Sequence, residues 1–313
     1  MEIKIKPSQL LGVVFLTIAF AAISGYVQIL SLFSPIIAVT YVLVGAKNDS
    51  KITVQSVIIT FLMLMFSTDI SYALYICITL MLPGILIGSM IYTSFKDEKG
   101  NKFEPLYTGI VAFIVGNMGY YAVEVYVLKS NVVSTLVSNA SDILDAALKV
   151  EKSSVILDLI SKDDLILLML LGSIVFTGII YSLIVFYLSA FAINKINNEK
   201  QNFPKFQDFR FPGNPVLVFI GIYLIVLLLD IAEIGIKINL LTTSLTVIFQ
   251  ILFVIQGIVI YFYYLKNISH KNNMLIFIAL IAGFVMTMGA CVPVIGMFDT
   301  IFDFRKVRRN KST

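Results

Sequence analysis

Charge is scarce in this 313-residue chain: 13% of its residues are Asp, Glu, Lys or Arg, against 58% hydrophobic. A soluble domain carries about 25% charged residues, and at a mean hydropathy of +0.94 the chain reads as a multipass membrane protein. Histidine is nearly absent. The single His270 excludes His-rich metal sites and leaves one imidazole, in a short charged loop, for any Ser-His-Asp or Cys-His centre. The two cysteines, Cys77 and Cys291, lie in apolar runs without CxxC spacing, so neither a disulfide framework nor a redox pair is indicated and both read as packing residues. No Walker loop, GxSxG elbow or paired-cysteine metal site occurs. That argues against an autonomous ATPase or a metalloenzyme, and no enzymatic activity and no cofactor is expected. The balance of 23 Lys+Arg against 19 Asp+Glu leaves a formal +4, an excess that orients loops in such a chain and indicates no nucleic-acid partner.

What is abundant is apolar sequence in lengths that suit a bilayer. A hydrocarbon core of roughly 30 Å takes about 20 helical residues per crossing. Nine segments approach this, at 9–26, 30–45, 52–68, 71–95, 106–128, 165–193, 215–235, 240–264 and 274–298. The second is short and carries Pro35, so the first two also read as one kinked unit. The expected fold class is all-α: a polytopic integral membrane helix bundle with eight or nine hydrophobic segments. The first apolar run reads as a membrane helix rather than a cleaved leader.

Basic residues set the expected orientation. A cytoplasmic N-terminus, with Lys4 and Lys6, also places Lys47/Lys51, Lys96/Lys99/Lys102 and Lys195/Lys200/Lys205/Arg210 on that side. The connection 129–164 then lies outside, and apolar residues at helical spacing from Val133 to Leu148 predict one or two external amphipathic helices over 131–163. Three further crossings would leave the basic tail Arg305–Lys311 outside, against its charge. Segment nine, broken by Gly289, Pro293 and Gly296, is therefore the irregular element, and the tail is expected in the cytoplasm. The chain divides into a six-segment bundle over 1–194, a cytoplasmic linker over 195–214, and a three-segment extension over 215–313. In the linker, Phe203–Pro212 is aromatic, basic and bounded by proline, the composition of a membrane-surface connection.

Ionisable groups at membrane depth each cost roughly 2.5–3.5 kcal/mol on insertion scales. Three acids qualify: Glu124 in segment five, and Asp230 and Glu233 near the end of segment seven. Asn117, Tyr121 and Glu124 stand at i, i+4 and i+7, so one helical face carries an amide, a phenol and a carboxylate, with Tyr120 at its flank. Such a face avoids lipid and lines either a solute cavity or a polar contact between helices. The solute reading makes Glu124 a counter-charge, Asn117 a donor and acceptor, and Tyr121 a ring wall, with Tyr120 and Thr177 (beside Ser173 and Tyr181 in segment six) as further binding candidates. Asp230 and Glu233 with Lys237 read as a local ion cluster, and Gln250 and Gln256 as separate interhelical bonds. Small residues at spacing four, Ser8 with Gly12, Ala21 with Gly25, and Gly84 with Gly88, mark close helix contacts. These are either internal or, for Ala21 and Gly25, a docking face for another membrane subunit.

The C-terminal third resembles the YybS-like family of bacterial multipass membrane proteins, whose activity is unassigned. Phe211-Pro212, Asn239-Leu240-Leu241, Gln256-Gly257, the run Tyr261–Tyr264 and above all Gly296-Met297-Phe298-Asp299-Thr300-Ile301-Phe302-Asp303-Phe304-Arg305-Lys306 carry the likeness. Residues 8 to about 194 are similar in layout to the S components of energy-coupling factor transporters. The shared features are an opening helix with small residues, a short Pro-bearing second segment ending in Gly45-Ala46-Lys47, and Pro83-Gly84 with Gly88 in segment four. The second resemblance implies a six-helix bundle that holds a small solute near the outer surface and docks a membrane coupling subunit, while the segments after residue 212 depart from it. The resulting expectation is small-solute binding or transport in the bacterial cytoplasmic membrane, with lipids, an unidentified solute and a coupling subunit as partners. The competing expectation is a membrane scaffold or regulatory subunit.

Overall fold

In the computed structural model the described residues are 6–47, 49–97, 100–151, 161–197, 201–231, 238–269 and 291–305. Among them the regular elements are all helical: α1 (Pro7–Tyr26), α2 (Pro35–Ala46), α3 (Ser50–Ser67), α4 (Ile70–Lys96), α5 (Glu104–Tyr126), α6 (Val132–Glu151), α7 (Lys162–Asn197), α8 (Pro215–Ile231), α9 (Ile238–Ser269) and α10 (Cys291–Phe302), with short 3-10 turns at Gln28–Phe33 and Phe206–Asp208. Six stretches are long and apolar enough to cross a membrane: Ile29–Ala46, Ser50–Ser67, Ile70–Lys96, Glu104–Tyr126, Lys162–Ile196 and Leu240–Tyr264. Leu10–Tyr26, Pro215–Leu229 and Cys291–Phe302 are apolar but shorter. The protein is a polytopic membrane helix bundle. Of segment nine only the part from Cys291 onward belongs to the described residues; His270, Glu233 and Lys237 lie outside them.

Helix starts follow local chemistry. Asp49 caps α3, its Oδ1 accepting from the amides of Lys51 at 3.0 Å and Ile52 at 3.3 Å, and Asp69 caps α4 by accepting from Tyr72 N at 2.7 Å. Each satisfies amides that the first turn leaves without a helical partner. α2 and α8 begin on Pro35 and Pro215, where a missing N–H costs nothing. Within α4, Pro83 has no N–H to donate to the turn before it, and Ile76–Met81 widens into a π-helical stretch.

The chain forms two compact units: Met1–Lys152 with Ser173–Phe203, and Ser153–Gly172 with Pro204–Thr313. The division at 203/204 falls inside the 195–214 linker, whereas the first turns of α7 group with the second unit.

In the first unit, α2 and α4 are joined through glycine. A Cβ on Gly88 would lie 2.1 Å from the Val42 carbonyl oxygen, and one on Gly45 2.2 Å from that of Ile85. No side chain fits there, so the backbones themselves meet, the contact that small residues permit between membrane helices. Around this seam α1 turns Leu10, Val14, Thr17, Ile18, Ala21 and Ser24 inward, while Phe15, Leu16 and Ile23 face out. In α5, Leu106, Gly109, Ile110, Phe113, Gly116, Tyr120 and Glu124 form the buried stripe. The outward apolar residues are what a lipid-facing surface requires.

The pair Ala21 and Gly25, expected as a docking face, is engaged within the chain. Ala21 is buried, its carbonyl accepts from the Tyr72 hydroxyl at 3.0 Å, and a Cβ on Gly25 would stand 3.1 Å from the Tyr72 ring. Tyr72 of α4 therefore packs against this small-residue face from within the chain. Gly12 instead faces open space.

In the second unit, Val216 of α8 packs with Phe249 and Phe253 of α9, joined by Phe219, Leu245, Leu252 and Met297. α10 crosses α9 at a second glycine contact: a Cβ on Gly296 would be 2.0 Å from the Phe253 carbonyl oxygen.

Candidate functional site

Two polar clusters interrupt the apolar interior, one in each unit. In the first, Glu124 lies fully buried in the last turn of α5. Its Oε1 accepts from the Ser71 hydroxyl at the start of α4, and its Oε2 from the Ser130 hydroxyl in the turn after α5. That turn is built for closure: Lys129 adopts a left-handed φ of 52°, and Ser130 also donates its amide to the Glu124 carbonyl at 3.0 Å. Tyr120, one turn earlier, shares a 3.1 Å hydrogen bond with Ser71. Among the described residues no lysine or arginine forms an ion pair with Glu124, so its carboxylate is held by hydroxyl groups.

Tyrosines surround this carboxylate. Tyr120 meets Tyr75 edge-on at 5.3 Å and Tyr121 at 5.7 Å, and Tyr75 meets Tyr72 at 6.1 Å. Tyr72 is bonded in turn to Ser24 at 2.8 Å. Four phenol rings thus form a contact chain beside one acid, an arrangement whose ring faces attract cations.

The residues expected at this site are only partly brought together. Tyr120, Tyr121 and Glu124 belong to the cluster. Asn117 does not act with them through its amide, which donates to the Phe113 carbonyl of its own helix at 2.7 Å. The reason is angular: the buried stripe of α5 runs through Phe113, Gly116, Tyr120 and Glu124, and Asn117 and Tyr121 stand at its half-buried edge. Thr177 is half-buried on α7, one turn before Tyr181, whose ring meets Phe113 at 5.9 Å and whose hydroxyl is 3.2 Å from Ser34. Among the described residues neither Asn117 nor Thr177 hydrogen-bonds to Glu124. Ser71 and Ser130 are the additions that sequence reasoning missed. Ser130 had a local signal, a small hydroxyl in a turn just after an acid, but nothing in the sequence pairs Ser71 with a residue 53 positions away.

The second cluster was not foreseen as a site. Asp299 in α10 is fully buried, and its Oδ2 accepts from Arg305 Nη2 at 2.8 Å, from Arg305 Nε at 3.1 Å and from Gln256 Nε2 at 3.0 Å. Arg305 also donates to the carbonyls of Gln207 and Phe209. Arg210 pairs with Asp303 at 2.8 Å and donates to the carbonyls of Asp299 and Thr300, at 3.3 and 2.8 Å. Two arginines and two aspartates therefore bind the end of α10 to the stretch Gln207–Arg210. Within Phe203–Pro212, expected as a membrane-surface connection, Phe209 has no exposed surface and Arg210 is buried. Gln256 proves to be a bond to Asp299, whereas Gln250 lines an open apolar groove of about 310 Å³ with Phe219, Phe249, Phe253 and Met297. Among the described residues no group of three His, Cys, Asp or Glu side chains is placed to hold a metal ion.

The motif richest in charge near the C-terminus is thus a structural clasp, and the fully buried acid that has no cationic partner among the described residues, Glu124, is in the first unit. No curated protein and no solved structure matches the chain. One family does, described as a predicted membrane protein (DUF2232), over residues 15–300. That span contains both clusters apart from Asp303 and Arg305, and most of every helix named above, so the chain belongs to the predicted membrane protein family DUF2232.

Proposed function

We propose that the first unit binds a small organic cation at the tyrosine-ringed end of α5, as the capture step of solute transport across the bacterial cytoplasmic membrane. One observation carries this reading: Glu124 is buried with hydroxyl partners and without a basic side chain among the described residues. A buried carboxylate normally has a cation beside it, since desolvation otherwise costs several kcal/mol. An ammonium group supplied by a solute fills that role, with Tyr120 and Tyr121 as ring walls. The turn carrying Ser130 is the movable cover, because its hydroxyl must leave Glu124 for a guest to reach Oε2. No covalent chemistry is involved; binding and gating suffice. The layout shared with S components supports the same reading, and with a cytoplasmic N-terminus the site faces the outer side. A coupling subunit would then meet the outward side of α1 around Gly12, rather than Ala21.

A second reading is a scaffold or regulatory subunit. It is favoured by the hydrogen bonds that Glu124 and Asn117 already make inside the chain.

Thermal unfolding of the purified protein with tetramethylammonium, choline and arginine tests the choice. The transport reading expects at least one of these to raise the midpoint in the wild type, by a few degrees at a roughly hundredfold excess over Kd, and not in Glu124→Gln. If none shifts the wild type, or if Glu124→Gln shifts equally, the cation site is lost and the scaffold reading stands.

A further inference from the structure

Gln250 is a polar residue of the second unit that the clasp does not use. It stands in α9 about 3 Å of helix rise from the middle of the apolar stretch Leu240–Tyr264, so its depth is close to the bilayer midplane. The sequence points to an interhelical bond there, yet the side chain is exposed and makes no hydrogen bond among the described residues. A primary amide facing hydrocarbon has lost the water that would satisfy it and finds no partner in a saturated acyl chain. It calls for a guest with a polar atom at the same depth.

The surroundings define that guest. Gln250 lines the open groove of about 310 Å³, whose walls include the rings of Phe219, Phe249 and Phe253 and the thioether of Met297. The rings touch one another, Phe219 with Phe249 at 4.8 Å and Phe249 with Phe253 at 6.1 Å, and such walls pack well against a flat ring. Thr246, the other polar side chain of the lining, already donates its hydroxyl to the Thr242 carbonyl at 2.8 Å. No residue of the lining is charged, so a charged head would lose its hydration without compensation. The volume is at the lower end of the roughly 300–1,000 Å³ of small-ligand sites, enough for a ring but not for a lipid with its chains. Phospholipids keep their polar atoms at the membrane surface, far from this depth. A second copy of the chain is a poor fit, because in a two-fold contact each groove would face an equal hollow and neither would be filled.

We propose that this groove binds the head of a neutral quinone-type lipid. The flat ring lies against Phe219, Phe249 and Phe253, a ring carbonyl accepts from Gln250 Nε2, and the isoprenoid tail stays in the bilayer. A groove open at membrane depth takes its ligand from the hydrocarbon, and a quinone is a lipid whose oxygens travel there with it. The proposal concerns the second unit alone and is independent of the cation site in the first.

The test is equilibrium binding of tritiated decylubiquinone to full-length protein in mild detergent, with unlabelled decylubiquinone, decylbenzene and phosphatidylcholine as competitors. The wild type is expected to bind the quinone saturably, with decylbenzene, which lacks the carbonyls, and phosphatidylcholine competing at least about threefold more weakly, the worth of one hydrogen bond. Gln250→Leu exchanges an exposed amide for an apolar chain of similar size and should fold normally while weakening quinone affinity about three- to tenfold. Thr246→Phe, which puts a ring into the groove, should abolish binding. Absence of saturable binding by the wild type would overturn the proposal, as would equal competition by decylbenzene or an unchanged affinity in Gln250→Leu. Light scattering on the same samples covers the other occupant: a wild-type dimer that Gln250→Leu converts to monomer would give the groove to a second copy and overturn the quinone.

Discussion

Glu124 and Asp299 present the same physical problem, a carboxylate with no exposed surface in a membrane protein, and the two units solve it differently. Asp299 has a guanidinium on one oxygen and an amide beside it, and the same guanidinium reaches two backbone carbonyls. Its charge is cancelled within the chain, and the product is mechanical: α10 is tied to the linker. Glu124 has two serine hydroxyls, one of them on a turn. Hydroxyls rotate and exchange readily, and they leave the charge itself unbalanced. A buried acid with an internal counter-ion reads as architecture; one held by hydroxyls reads as a place where something else can be bound.

The sharpest way to break this contrast is at Arg305. Arg305→Ala strips Asp299 of its partner and leaves linker carbonyls without a donor, and removal of one member of a buried pair costs about 3–5 kcal/mol. A large fall in thermal midpoint, with earlier proteolytic cleavage near the linker, is the expected result; a variant as stable as the wild type would show that the clasp is not structural. Replacing both partners, as in Arg305→Met with Asp299→Leu, should recover much of the loss, because the isolated charge disappears along with the pair.

Next in size come the glycine seams, one per unit. Gly88→Ala puts a methyl 2.1 Å from the Val42 carbonyl oxygen and Gly296→Ala one 2.0 Å from that of Phe253. Each should destabilise by about 1–3 kcal/mol, visible as a lower midpoint, whereas Gly12→Ala, with open space around it, should be neutral. Ser130→Ala removes one donor from Glu124 and should cost about 1–3 kcal/mol. It should also strengthen the response to an organic cation, since the competing hydroxyl is gone. An unchanged ligand response in a folded Ser130→Ala protein would argue against the turn as a cover. The smallest stability effect at either polar cluster belongs to Glu124→Gln, within about 1 kcal/mol, because hydroxyls can turn to accept from the new amide. If Glu124→Gln were instead as damaging as Arg305→Ala, the two acids would be equivalent and the contrast between them would collapse.

Much of the architecture was legible in the sequence because bilayer length and hydropathy are local properties. The segment bounds and the small-residue pair Gly84 and Gly88 reflect residues within a few turns of one another. The long-range pairings did not have such a signal. Arg305 meets Gln207 across 98 positions, and opposite charges on a linker and at a helix end look alike whether they are solvated or buried together. The site on α5 was half legible: spacing put Glu124 on an inward face, but which neighbours share it depends on where the buried stripe runs, and that is set by the packing of α4. Ala21 shows the converse. Its small side chain signalled a close contact correctly, while the partner in that contact is Tyr72 of the same chain.

The π-helical stretch Ile76–Met81 decides how the two ends of α4 are aimed. It lies between Ser71, Tyr72 and Tyr75 on one side and Gly84 and Gly88 on the other, and an extra residue in a turn rotates everything beyond it by about 100°. The seam with α2 anchors the downstream half, so the azimuth of the upstream half depends on that one surplus residue. Shortening the stretch by a single position would restore an even helical pitch and swing Ser71 a quarter-turn off Glu124, dismantling the tyrosine end without touching any group that belongs to it.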